Sequence, residues 1–203
     1  MKKVIVGDRE VTPSKIVCIG RNYYAHIKEL GNEVPQQMVL FLKPNSAITE
    51  RLTAYHQEQL HYEGELCYLV ENGRFSAVGF GFDLTKRTLQ GQLKAKGLPW
   101  ERAKAFDGSA VFSRFIELSE MTGELSFELE KNGELIQVGN MELMIHKPEE
   151  ILSEVLTFLS LDDGDILMTG TPRGVGIIEK EDIFSVSVKA DNAEIISQSW
   201  TAN

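Results

Sequence analysis

Two glutamates, Glu63 and Glu65, stand two residues apart in His61-Tyr62-Glu63-Gly64-Glu65, just ahead of an apolar run that ends at Val70. On an extended strand residues at this spacing share a face, about 6.6 Å apart along it, and their side chains can lean together on one cation. With nothing positive between them they repel, and a solvated strand face is the other reading of the same spacing. A third carboxylate, Asp83, follows the run Val78–Phe82 and precedes Thr85-Lys86-Arg87, where a strand gives way to a helix. Two glutamates and an aspartate form an all-oxygen set suited to a hard cation that keeps its water, Mg²⁺ or Mn²⁺. On local grounds Asp83 serves equally well as a helix N-cap.

His26 and Glu29 are three apart, so on a helix they share a face, and the carboxylate can hold the imidazole and raise its basicity. The alternative is a surface pair in a polar segment between Arg21 and Pro35. Thr169-Gly170-Thr171-Pro172-Arg173-Gly174-Val175-Gly176 gathers glycine, hydroxyl and backbone donors into one turn after a strand. Such a turn can receive a carboxylate or a developing oxyanion, or be purely structural. It lacks the Lys-Ser/Thr ending of a phosphate-binding loop.

These residues need a scaffold, and the pattern is strand-rich. Apolar runs bounded by turn residues predict strands near 3–6, 15–20, 38–42, 62–71, 78–84, 124–131, 134–138, 165–169, 182–189 and 194–200. Lys131-Asn132-Gly133-Glu134 and Glu71-Asn72-Gly73-Arg74 carry the Asn-Gly pair of tight hairpins. Ile151, Leu152, Val155, Leu156 and Leu159 behind Pro148 predict a helix over 148–160. Further helices are expected over 85–96, stopped by Gly97 and Pro99, and over 23–30, ending at Gly31. The expected class is α+β, dominated by strands, and with no linker, repeat or low-complexity tract residues 1–203 read as one domain.

The 203 residues carry 21 basic and 30 acidic side chains, a formal charge of -9, without a basic block, so nucleic acid and anionic membranes are not expected partners. Cys18 and Cys67 lie in apolar runs without metal-type spacing and read as reduced core residues. Val4-Ile5-Val6 is too short for a secretory signal, and no stretch approaches a membrane span, so a cytoplasmic protein is expected.

Taken in order, Gly20-Arg21-Asn22-Tyr23 with His26 and Glu29, Leu40-Phe41-Leu42-Lys43-Pro44, His61-x-Glu63-x-Glu65, Phe82-Asp83-Leu84-Thr85-x-Arg87-x-x-Gln90, Lys104-x-Phe106-Asp107, Asn132-Gly133-Glu134-Leu135-x-Gln137 and Gly164-Asp165 through Gly176 resemble the fumarylacetoacetate hydrolase family. The similarity spans roughly residues 15–190 and points to the short branch with acylpyruvate hydrolases and oxaloacetate-acting enzymes. It implies a mixed β-roll like the fumarylacetoacetase C-terminal domain, with peripheral helices, as a homodimer. It also implies one Mg²⁺ or Mn²⁺ on Glu63, Glu65 and Asp83, His26 and Glu29 on a lid, and Arg21, Lys104, Arg87, Gln90, Gly170 and Thr171 at the substrate. Arg87 is followed by Thr88 where many relatives carry an acidic residue, which leaves the orientation of Arg87 open. The sequence has no long N-terminal domain of the fumarylacetoacetate-specific kind, which favours a smaller substrate.

A 2-oxo acid chelates a cation through its carboxylate and keto oxygens, and a pyruvate enolate becomes a feasible leaving group. The expected reaction is hydrolysis of acylpyruvates to pyruvate and a carboxylic acid, with His26 held by Glu29 deprotonating water and Lys104 and the Thr171 region steadying the oxyanion. Oxaloacetate decarboxylation or keto–enol tautomerisation on the same site stands close behind, and a non-catalytic metal-binding module is the reading from another class.

Overall fold

The structure is a computed structural model that describes residues 1–29, 31, 35–120 and 123–203. Two curled sheets pack face to face. The larger has eight strands, along the path Val39–Pro44, Lys15–Gly20, Ile166–Met168, Gly64–Glu71, Arg74–Asp83, Ala110–Phe112, Ile48–Thr49, with Ile116–Glu117 also paired to Arg74–Asp83. The smaller runs Glu134–Asn140, Leu125–Lys131, Ile183–Ala190, Ala193–Thr201. Phe80 and Phe82 from the first sheet meet Phe127, Phe184 and Trp200 from the second, with ring centroids 5.2–6.0 Å apart in edge-on and tilted arrangements. The helix Pro148–Val155 covers the other face of the first sheet, where Ile151 and Val155 pack on Val17, Ile19 and Leu167.

Gly64–Glu71 sits between two neighbours and is buried from Gly64 to Val70, which is why it reads as a continuous apolar run. Its hairpin with Arg74–Asp83 turns on Asn72 and Gly73, both at positive φ (52° and 70°), as a primed turn requires. One further residue decides the register. Ser76 bulges out between the pairs Phe75↔Val70 and Ala77↔Leu69, and from there the pairing runs to Phe82↔Gly64. The Asp83 amide then donates to the Glu63 carbonyl at 2.9 Å. Paired without the bulge, the same hairpin would set Phe82 against Glu63, with side chains on the wrong faces.

The predicted strands are all present, with shifted ends; 62–71 is split at Glu63 into His61–Tyr62 and Gly64–Glu71. Three helices are shorter than expected. The α-helix expected over 148–160 ends at Val155, after which the Thr157 hydroxyl caps the Glu154 carbonyl at 2.7 Å and Phe158 faces solvent. The helix expected from Thr85 starts at Arg87, because Thr85 pairs with His61 through backbone hydrogen bonds, and it is stopped as foreseen by Gly97 at φ +63°. The first helix is Tyr24–Glu29; its expected end at Leu30 lies outside the described residues. Short strands such as Ile48–Thr49 and Ala110–Phe112, and the helix Glu101–Lys104, were not foreseen. Among the described residues no helix is long and apolar enough to cross a membrane.

Candidate active site

The register set at Ser76 brings Glu63, Glu65 and Asp83 together: one oxygen from each lies within 4.8 Å of the others, the only such acidic, His or Cys grouping among the described residues. All three are buried, at 6%, 1% and 1% exposure, so the solvated-face reading is wrong for this pair of glutamates. Asp83 is not an N-cap either: the cap position of the helix Arg87–Ala95 is Lys86, which makes no side-chain cap. Instead Asp83 faces two ammonium groups. Lys104 Nζ donates to Asp83 Oδ2 (2.5 Å), Glu63 Oε2 (2.8 Å) and Thr85 Oγ1 (2.6 Å). Lys43 Nζ lies 2.8 Å from Asp83 Oδ1 and donates to the carbonyls of Lys104 and Ser109.

Burial opposes the charge on Glu63, but Lys104 and Arg87 overcome it and hold its carboxyl well below the ordinary range. Glu65 is the opposite case. Burial, then the neighbouring Asp83 and Glu63, push its carboxyl well above the ordinary value, against Lys104 and a hydrogen bond from the Gly170 amide to Oε2 (2.7 Å). Burial works against the Lys104 ammonium, yet Asp83 and Glu63 raise its pKa above the ordinary lysine value. Asp83 Oδ1, although beside Lys43, is buried with no hydrogen-bond partner. A convergent set of buried oxygens, with one carboxyl raised by burial and like-charged neighbours and one carboxylate oxygen without a hydrogen bond, fits a divalent cation.

The dyad forms the opposite wall. His26 Nδ1 is 3.1 Å from Glu29 Oε2, and His26 is buried at 6% exposure rather than on the surface. Glu29 also accepts from the Gly174 amide at 3.0 Å, which ties the helix Tyr24–Glu29 to the loop after Met168. Gly174 has φ +97°, and a Cβ there would meet the Ile136 carbonyl oxygen at 2.0 Å, so only glycine fits. Between the walls lies a cavity of about 40 Å³ lined by Arg21, His26, Glu63, Arg87, Gln90 and Lys104, with Phe41, Trp100 and Ile27 as its apolar rim. It is far smaller than the roughly 300–1,000 Å³ of drug-sized pockets and suits a substrate of few heavy atoms. A hollow of about 340 Å³ at Ile48, Thr49 and Phe112 is larger but holds no such cluster, so size does not locate the site.

Arg87 needs no acidic neighbour. Its Nη2 pairs with Glu63, its Nη1 donates to Gln90 Oε1 (2.8 Å), and the Thr88 amide is taken by Glu58 (2.9 Å). Gly170 and Thr171 stand behind the wall rather than on it: the Gly170 amide is engaged by Glu65, and the Thr171 hydroxyl accepts from Gln137 Nε2 at 2.8 Å. Three residues at the site had been given no role. Fully buried Lys43 is a lone charge at an inward position of an apolar strand, a signal the sequence did carry. Asn22 clamps the Thr169 carbonyl (2.8 Å), and Gln137 Oε1 accepts from the Gly64 amide (3.0 Å); neither has a distinctive local pattern.

Comparison with known proteins follows the same geometry. Residues 15–197 match the family described as fumarylacetoacetate (FAA) hydrolase C-terminal. The chain belongs to the fumarylacetoacetate hydrolase family. It is 40% identical to the oxaloacetate tautomerase YcgM of Escherichia coli K12, over 86% of this chain and 88% of that one. It is 37% identical to the mitochondrial oxaloacetate tautomerase oaa1 of Schizosaccharomyces pombe, over 90% and 92%. Its fold resembles that of fumarylpyruvate hydrolase from Pseudomonas aeruginosa, solved in complex with Mn²⁺ and pyruvate, with a TM-score of 0.89 at 26% identity over 99% of this chain and 95% of that one.

Proposed function

We propose that this protein is a divalent-metal-dependent enzyme of small 2-oxo acids that interconverts the keto and enol forms of oxaloacetate. The observation that carries the reading is the buried convergence of Glu63, Glu65 and Asp83 at a small cavity lined by Glu63 and by His26, which Glu29 holds. The names of the relatives support oxaloacetate as substrate, and the Mn²⁺ and pyruvate of the hydrolase structure support the metal and the 2-oxo acid head group.

Glu63, Glu65 and Asp83 would hold Mg²⁺ or Mn²⁺, which supplies Lewis-acid polarisation of the 2-oxo carboxylate and so acidifies the adjacent C3–H. Glu29, at the Nδ1 edge of His26, fixes the tautomer with Nε2 free to take the C3 proton and pass it to the keto oxygen, which completes the enol; the reverse transfer restores the keto form. Gly174 holds Glu29 in that orientation. Arg87, aimed by Gln90, binds the head carboxylate, and the Lys104 ammonium, its donors held by Glu63, Asp83 and Thr85, would lend positive charge to the cavity as the keto oxygen turns negative. Phe41, Ile27 and Trp100 narrow the access of water, which protects an enolate from side reactions.

Hydrolysis of acylpyruvates is the second reading, favoured by the same dyad, since a His held by a carboxylate can deprotonate water as well as carbon. The test is the metal-stripped protein, with and without Mg²⁺ or Mn²⁺, on oxaloacetate and on acetylpyruvate, following enol absorbance, CO₂ and pyruvate separately. Metal-dependent relaxation of the oxaloacetate enol signal ahead of CO₂ release is expected. Pyruvate from acetylpyruvate at a greater kcat/KM would replace the tautomerase reading with the hydrolase.

A further inference from the structure

Among the described residues, five buried side-chain polar atoms lack a hydrogen-bond partner, and three of them, Arg21 Nε, Arg87 Nε and Asp83 Oδ1, belong to the candidate site. Buried polar atoms without partners are costly, and the two guanidinium donors, on residues that line one cavity, mark where a ligand's acceptors belong. Arg87 and Asp83 are accounted for by the head group and the cation. Arg21 is not.

Arg21 carries a second irregularity. It lies at φ +59°, just past the strand Lys15–Gly20, in a conformation that glycine or asparagine adopts at less cost. Asn22, fully buried and clamped to Thr169 and His146, fixes the chain on its far side. The backbone bend therefore serves Asn22, but it does not require arginine. A guanidinium kept at a strained position, on a cavity wall, with a buried unpaired donor, is placed for an anion.

The charge balance agrees. Lys43 pairs with Asp83, and Lys104 and Arg87 pair with Glu63, so three cations already stand against the three carboxylates of the cluster. A divalent cation and Arg21 then leave the cavity positive. Lys94 lines the same cavity from the helix Arg87–Ala95, on the stripe shared by Arg87 and Gln90. A monocarboxylate would leave much of this charge unmatched.

We propose that Arg21, with Lys94 beside it, receives the second carboxylate of the substrate and makes this a site for short 2-oxo diacids rather than for acylpyruvates with an uncharged acyl end. The inference rests on the 2-oxo acid reading above and names the residue that decides between its two substrates.

The test is isothermal titration of the Mn²⁺-loaded protein with malate and with lactate, stable 2-hydroxy acids that differ by the distal carboxylate. The parent should bind malate at least about tenfold more tightly than lactate, the usual scale of a charge-assisted contact. Arg21→Asn, which suits the backbone, should lose about tenfold on malate and much less on lactate, and Arg21→Lys should restore part of the preference. Lys94→Met should shift it the same way by less. If Arg21→Asn melts well below the parent, Arg21→Gly replaces it, since glycine takes φ +59° freely. A parent without preference, or a preference that survives loss of the guanidinium, overturns the proposal and leaves the 2-oxo acid reading standing. A Mn²⁺-loaded parent that binds neither acid, nor oxalate, removes that reading and the proposal with it.

Discussion

The two walls of the cavity are built in different ways. The carboxylate wall stands on the central hairpin of the larger sheet, where Glu65 lies in the buried stretch of the strand Gly64–Glu71 and Asp83 closes its partner. Its charges are paired with ammonium groups from Lys43 and Lys104, themselves buried. The dyad wall stands on a six-residue helix, and its carboxylate is tied to the rest by the Gly174 amide. A cation site needs fixed oxygens, and a buried register supplies them; a proton shuttle needs orientation more than rigidity, and one polar tether supplies that. Stability and metal affinity should therefore respond to one wall and turnover to the other.

The largest expected effect breaks that division at the dyad. His26→Ala should lower kcat by about 10²–10⁴-fold, the range for a lost general base, while Mn²⁺ affinity stays within about twofold. Comparable loss of both would make His26 part of the metal site. Next comes Lys104→Met, which leaves Glu63 and Asp83 buried without their shared ammonium and should destabilise the metal-free protein by about 3–5 kcal/mol. Mn²⁺ should recover part of it, so the melting shift on adding metal should be larger than in the parent; an unchanged metal-free melt would deny the pair any structural weight.

How much of this was legible follows the same line. Glu63 and Glu65 were singled out because strand alternation sets them on one face, Asp83 because it stands at a strand end, and the family resemblance joined the three; the two Asn-Gly turns were found because positive φ has a narrow residue preference. The Ser76 bulge that brings Asp83 to Glu63 has no such signature, so the meeting of the three was expected from separate strand ends and not from a register. Ile48–Thr49 and Ala110–Phe112 are too short to show a period. Gly170 was placed at the substrate by the family resemblance, its turn alone leaving a structural role open, and its amide is engaged by Glu65, a contact across 105 residues that only the fold reveals.

Smaller in effect is Gly174→Ala, whose Cβ meets the Ile136 carbonyl oxygen and whose φ of +97° disfavours a side chain. It should cost about 1–3 kcal/mol and lower kcat through Glu29, with metal affinity kept; a kcat equal to the parent's would show that the tether does not orient the dyad. The smallest effect is a pH dependence at Glu65. Its carboxyl is raised by burial and by Asp83 and Glu63, so in the metal-free protein its contribution to stability is full below the ordinary carboxylate pKa. That contribution is lost as pH rises towards the elevated value. A cation needs the ionised form, so over the same interval Mn²⁺ affinity should rise with pH while metal-free melting temperature falls. Both trends are read from melting curves taken with and without Mn²⁺ across the acid-to-neutral range, and a reversed sign for either would contradict the assignment.

The most direct test of the buried triad as the metal centre is the loss of the free Mn²⁺ electron paramagnetic resonance signal on titrating the metal-stripped parent and Glu65→Gln in parallel. One ion per chain on the parent, with affinity at least about a hundredfold weaker on the variant, is the predicted result. Equal binding by both proteins would contradict it.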